Sequence, residues 1–368
     1  MSRFRGALCC ALVVLALLCL TLPVSAAGPR AGGEPSLGVR STLEVESSSV
    51  GPADRAVVRF ILANDGDCDL YVLRWQTPLA GVEADLFDVR RGGERVAYLG
   101  PLIKFGPPQA EDYLRIPAGG SRTVAVDLGA VYDLSRTGEY SVRYRVSLQD
   151  ALRADGGEVT GVRGLRPVAS NLLFLGVERD EGGLEPFFEM VRATADTALA
   201  STFVKCDAAQ QATLTTALGN AESISLKARD YLNNLPAAQR PSDAAYRTWF
   251  GAYTTSRYGT VQNNFQAIHN TFATKTVSFF CDCKKKYYAY VYPNRPYEIH
   301  LCNVFWTAPM TGIDSKAGTL VHETSHFTVV AGTDDWAYGT AACQNLANTN
   351  PDRAIANADS HEYFAETR

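Results

Sequence analysis

His322-Glu323-Thr324-Ser325-His326 is an H-E-x-x-H segment, and its reading decides what the C-terminal half of the chain is. Residues four apart share one face of a helix, so both imidazoles can reach a single Zn²⁺ at about 2.0–2.1 Å. Glu323 lies beside the first of them, close enough to take a proton from a water on the metal. The run before it, Ala317-Gly318-Thr319-Leu320-Val321, is apolar enough for a buried helix, and Ser315 stands where a cap is needed. All five histidines (His269, His300, His322, His326, His361) lie in the last hundred residues, so any imidazole chemistry belongs to that end. His269 and His300 read as ordinary structural histidines.

A catalytic zinc wants three protein ligands and one open position. No third histidine stands at the H-E-x-x-H-x-x-G-x-x-H spacing. The loop beyond His326 carries Gly332-Thr333-Asp334-Asp335-Trp336-Ala337-Tyr338-Gly339 instead. Here the chain resembles the aspzincin, or deuterolysin-like, metallopeptidases, whose third ligand is an aspartate in a G-T-x-D-x-x-Y-G motif. Every fixed position of that motif is present. The resemblance implies a zincin-type catalytic domain with one Zn²⁺ per chain, held by His322, His326 and Asp335. It also implies that Tyr338 donates to the developing oxyanion, while Asp334 is a turn residue or an outer acceptor.

The likeness extends toward the peptidyl-Lys members of the family. Asn357-Ala358-Asp359-Ser360-His361-Glu362-Tyr363-Phe364 resembles the segment that distinguishes the lysine-specific enzymes. Asp359 and Glu362 are three apart and share a helix face. As a pair at the end of a pocket they select a long cationic side chain, so the bond cut is X–Lys. One charge-assisted bond to an ammonium is worth roughly 1.5–3 kcal/mol, about ten- to a hundredfold in selectivity. The plainer reading of the pair is a solvated acidic face. His361, between them, is not expected to be a ligand.

Outward from this region the grammar changes. Residues 202–368 read as a mainly helical α+β domain. Helix is expected from Asp207 to Leu235, with Asp207 as cap, and from Ser242 to about Thr274 with a break near Gly259. Beyond it lies a short β-region from Thr276 to Leu301, in which Ile299 to Leu301 is the expected edge strand for an extended substrate. Tyr287 to Tyr292 reads as strand core and surface, and Lys284-Lys285-Lys286 as a solvated strand end. Residues 27–180 read instead as short strands such as Ala56 to Leu62 and Tyr140 to Val146. Turn clusters such as Asn64-Asp65-Gly66-Asp67 separate them. That spacing suggests an all-β, immunoglobulin-like sandwich. The sandwich has no histidine, and its only lysine is Lys104. It resembles the propeptide of bacterial family members, which implies an intramolecular inhibitor over the active site. The activation site is expected in the linker 181–201, or at Val204–Lys205 if the enzyme cuts itself before lysine.

The N-terminus reads as an address. Arg3 and Arg5 precede an apolar run from Ala7 to Leu22 and then Pro23-Val24-Ser25-Ala26-Ala27. This is a secretory signal, residues 1–26, too short for the ~20 residues of a spanning helix. Leu17-Leu18 before Cys19 lacks the small residue of a lipoprotein site. Export makes disulfides available. Three of the nine cysteines leave with the signal; Cys68, Cys206, Cys281, Cys283, Cys302 and Cys343 remain. Cys281 and Cys283 are too close for an easy mutual bridge, so each is expected to take a different partner. Family spacing implies Cys206–Cys281 and Cys283–Cys302. Cys68 and Cys343 then stay as thiols or pair with each other.

Composition excludes several classes. Hydrophobic residues at 46% allow packed cores, and 35 basic against 39 acidic residues, a net charge of −4, argue against nucleic acid as partner. The expectation is a secreted, monomeric zinc endopeptidase made as a zymogen, acting on proteins or peptides, with no membrane contact after signal removal. Two alternatives stand beside it: a broad-specificity deuterolysin-type peptidase, and a catalytically degenerate secreted binding protein with an adhesive β-module.

Overall fold

Alternation of apolar and polar residues turns the first half of the chain into strands. In Gly138–Leu148, Tyr140, Val142, Tyr144, Val146 and Leu148 all point inward while the residues between them reach the surface. The computed structural model describes residues 38–155, 158–161, 166–179 and 201–368. The expected signal 1–26 and nearly all of the linker 181–201 lie outside these residues.

The strands of the β-rich region form a three-, a six- and a four-stranded sheet around one core, which includes Phe60, Phe87, Tyr132 and Tyr144. This is more divided than the two-sheet sandwich expected from strand spacing. Val57–Asn64 pairs antiparallel with Val39–Glu44 on one side and Ser121–Asp127 on the other.

The C-terminal region joins helices to a five-stranded sheet. Helix Ala208–Asn234 begins as expected: Asp207 accepts from the Gln210 amide, and Gln210 returns the bond. The next helical stretch breaks at Gly251, not at Gly259. Gly251 has φ 78°, and a Cβ there would collide with the Ala347 carbonyl, whereas Gly259 lies inside helix Thr255–Thr274 with open space around it. A helix tolerates an isolated glycine at a cost of about 1 kcal/mol, but only glycine satisfies the left-handed turn. No described helix is long and apolar enough to cross a membrane.

The sheet runs Thr202–Val204, Ser278–Phe280, Glu298–Leu301, Tyr287–Val291, Leu102–Phe105. Glu298–Leu301 is therefore an interior strand, which corrects the expectation that it forms the substrate edge. The C-terminal region's own edge on this side is Tyr287–Val291, and Leu102–Phe105 of the β-rich region pairs antiparallel along it. A small core joins the two regions there, built from Leu73, Trp75, Ile103, Phe105, Tyr287 and Cys302. The Trp75 and Phe105 rings stack at 4.1 Å.

Candidate active site

The H-E-x-x-H segment is helical because its ends are fixed and its length is buried. In helix Lys316–His326, Ser315 Oγ accepts from the Gly318 amide at 2.9 Å, and every residue is buried. Ser315 is itself held by Glu366, whose carboxylate accepts from the Ser315 hydroxyl and amide and from the Asp314 amide. Gly318 allows this: a Cβ there would run into the Glu366 and Glu362 side chains of helix Ala358–Glu366.

His322 Nε2 and His326 Nε2 face each other at 3.1 Å. Asp335 completes a triangle, with Oδ1 3.3 Å from the first and Oδ2 3.5 Å from the second. The far nitrogens face acceptors. His326 Nδ1 donates to the Thr333 carbonyl at 2.8 Å, which leaves its Nε2 lone pair turned inward. His322 Nδ1 lies 2.8 Å from Asp359 and 3.3 Å from Glu362, both of which can only accept when ionised.

Burial pushes His326 down to about 4, so it is a neutral ring. Burial also opposes charge on His322, yet Asp335, Asp359 and Glu362 outweigh it and hold its pKa well above the usual value. The carboxylates thus call for positive charge between the two rings. Neither oxygen of Glu323 nor of Asp335 has a hydrogen-bond partner, although both side chains are buried. Two inward nitrogens and an unpartnered carboxylate fit a divalent cation. Asp334 points elsewhere: its Oδ2 meets Arg95 of the β-rich region at 3.3 Å, and its backbone pairs beside Asn357.

Glu323 borders this triangle. Burial pushes its carboxyl up to about 8, with His322 pulling the other way. Tyr338 is half-buried, and burial and Asp335 push its phenol well above the usual range, so it remains a donor. It donates to the Ile103 carbonyl at 3.0 Å. Gln149 of the β-rich region holds the Tyr338 backbone, accepting from its amide at 3.0 Å.

Asp359 and Glu362 share a helix face as expected, but that face is buried, not solvated. Between them sits the Lys104 ammonium, 2.6 Å from Glu362 and 3.3 Å from Asp359, with Asp314 at 3.4 Å. The Tyr288 and Tyr363 rings flank it at 5.1 and 5.9 Å. Burial would raise Asp359, but Lys104 and His322 override it and hold the carboxyl below the usual range. His361 is not turned to the triangle; its Nδ1 faces the Asn357 carbonyl and its Nε2 faces Asn264.

Sequence reasoning missed four participants. Thr333 fixes the His326 tautomer, and Asn357 holds the loop that carries Asp335 by accepting from the Trp336 and Ala337 amides. Asp314 and Lys104 complete the acidic pocket. Thr333 and Asn357 lie inside the Gly332–Gly339 and Asn357–Phe364 segments without an assigned role, and Lys104 stood out as the single lysine of its region. The cysteines pair as Cys206–Cys281 and Cys283–Cys302, while Cys68 and Cys343 are free.

The family model described as "Lysine-specific metallo-endopeptidase", the aspzincin model, matches residues 236–366, which hold the whole triangle and the three carboxylates around Lys104. An "Extracellular protease" of Aeromonas hydrophila is 40% identical over 321 residues, covering 86% of this chain and 89% of the relative. The chain belongs to the aspzincin metalloendopeptidases. A "Peptidyl-Lys metalloendopeptidase" of Grifola frondosa is 33% identical to the enzyme over 364 residues, covering 96% of this chain and 97% of the relative. One of Pleurotus ostreatus is 48% identical over 168 residues, which is 45% of this chain and 96% of that one. The enzyme is thus a metal-dependent endopeptidase with proteins or peptides as substrates.

Proposed function

We propose that the chain is a secreted zymogen of a zinc endopeptidase that hydrolyses X–Lys bonds. His322, His326 and Asp335 are the residues to hold the zinc, which when bound supplies Lewis-acid polarisation and a more acidic water. Glu323 takes the proton of the attacking water and delivers it to the leaving nitrogen. Its two unpartnered oxygens suit that exchange. Tyr338, kept protonated, donates to the carbonyl oxygen as charge develops on it.

The observation that carries the lysine preference is the seat of Lys104. An ammonium buried among Glu362, Asp359 and Asp314, with two aromatic rings beside it, outlines a pocket made for that group. Because the β-rich region supplies the lysine that fills it, that region supports the zymogen reading. Mass spectrometry of peptides released from an ordinary protein by the processed enzyme, with and without a zinc chelator, tests this. New N-termini that begin with lysine and vanish with chelator are expected. N-termini of mixed identity would sink the lysine preference, and chelator-resistant cutting would sink the zinc reading.

A further inference from the structure

Leu102–Phe105 lies along the catalytic edge strand as a substrate would. Ile103 pairs with Tyr290 and Lys104 with Ala289 in an antiparallel register. Two contacts define the bond between them. The carbonyl on its N-terminal side, Ile103 O, accepts from the Tyr338 phenol. The side chain on its C-terminal side, Lys104, fills the acidic pocket. An X–Lys peptidase asks these two things of the bond it cuts, and here its own chain supplies both. The segment is held in place from outside by the Trp75–Phe105 stack and by Tyr287, whose hydroxyl donates to Glu83 at 2.9 Å.

We propose that Ile103–Lys104 is a self-processing site, the first bond this chain cuts, and that it is cut intramolecularly. The proposal rests on the X–Lys endopeptidase function. The water oxygen bonds to the Ile103 carbonyl carbon and the C–N bond to Lys104 breaks. Glu323 carries the water's proton to the Lys104 nitrogen. The second water proton also ends on that nitrogen, so the products are a carboxylate at Ile103 and an α-ammonium at Lys104. That new carboxylate arises against the Tyr338 phenol. Val204–Lys205 is a poorer intramolecular site. Strand Thr202–Val204 is at the opposite end of the sheet, and Lys205 is paired with Asp282 at 2.7 Å.

The test uses the full chain, purified in chelator and then given zinc, at protein concentrations spanning about a hundredfold. Intact mass and N-terminal sequencing should show a fragment starting at Lys104 before any other. Its rate constant should not depend on protein concentration, and Glu323→Gln should not produce it. A rate that rises with concentration would overturn the intramolecular step. An intact Ile103–Lys104 bond in a chain that cuts added peptides before lysine would overturn the site while sparing the function. A second readout needs no turnover. A fluorescent lysyl peptide should bind Glu323→Gln carrying Lys104→Gln about tenfold or more tighter than Glu323→Gln alone, because the internal lysine no longer competes. Equal affinities would overturn the proposal, and binding to neither would take the lysine pocket with it.

Discussion

His322 Nδ1 and Asp359 Oδ1 are 2.8 Å apart, and the same carboxylate reaches Lys104 with that oxygen at 3.3 Å. One buried group thus lies against an imidazole of the His322–His326–Asp335 triangle and lines the pocket that holds Lys104. Carboxylates behind a metal-binding histidine fix its tautomer and typically change metal affinity ten- to a hundredfold when removed. Glu362 has the shorter contact to the ammonium, at 2.6 Å, and the longer one to His322, at 3.3 Å.

The two carboxylates should therefore separate on mutation. Asp359→Asn is expected to weaken zinc binding by about ten- to a hundredfold. Glu362→Gln should instead lose about ten- to a hundredfold in kcat/KM for lysyl substrates while holding zinc more firmly than Asp359→Asn does. Zinc competition with a chromophoric chelator, beside kcat/KM on one lysyl peptide, reads both. Identical profiles for the two variants would refute the division.

Glu323→Gln should keep the metal and lose the reaction. The amide preserves size but cannot take a proton, so kcat should fall by about a hundred- to ten-thousandfold. Metal content by atomic absorption should stay near that of the parent chain, since the triangle of His322, His326 and Asp335 is untouched. Near-normal turnover would remove Glu323 from its role.

The site was legible where its logic is local. The spacing of His322 and His326 on one helix, and of Gly332, Thr333, Asp335, Tyr338 and Gly339 on one loop, is written in consecutive residues. So was the Ser315 cap. What was not legible is long-range. The order of strands in a sheet is set by packing between distant segments, so Glu298–Leu301 and Tyr287–Val291 could not be ranked as interior and edge from their own residues. Lys104 looked incidental because its partners Asp314, Asp359 and Glu362 come from the other half of the chain. The break at Gly251 depends on its approach to Ala347, which no local pattern announces.

Adjacent aspartates give a sharper test of the triangle. Asp335→Asn should lower zinc affinity by at least about tenfold, because a neutral amide replaces the carboxylate between the two Nε2 atoms. Asp334→Asn should leave zinc affinity nearly unchanged, since its carboxylate is turned to Arg95. Isothermal titration of each metal-free variant with zinc distinguishes them, and a reversal of the order would overturn the assignment of Asp335.

Glu366 should make stability depend on pH. Burial, reinforced by Glu362, pushes its carboxyl up to about 8 from the ordinary 4.5. Between those values the folded chain keeps a proton that the unfolded chain has lost. Its contribution to stability is therefore full below about pH 4.5 and is lost as pH rises toward 8. The group matters because it holds Ser315, the cap of the helix that carries His322 and His326. Glu366→Gln cannot ionise and keeps one oxygen to accept from Ser315. The melting temperature of the parent chain relative to this variant should therefore drop steadily from about pH 5 to about pH 8 and level off above. Thermal melts of metal-free protein in a pH series measure that difference, in which the other titrating groups largely cancel. Parallel curves for the two chains would mean that Glu366 ionises alike in the folded and unfolded states.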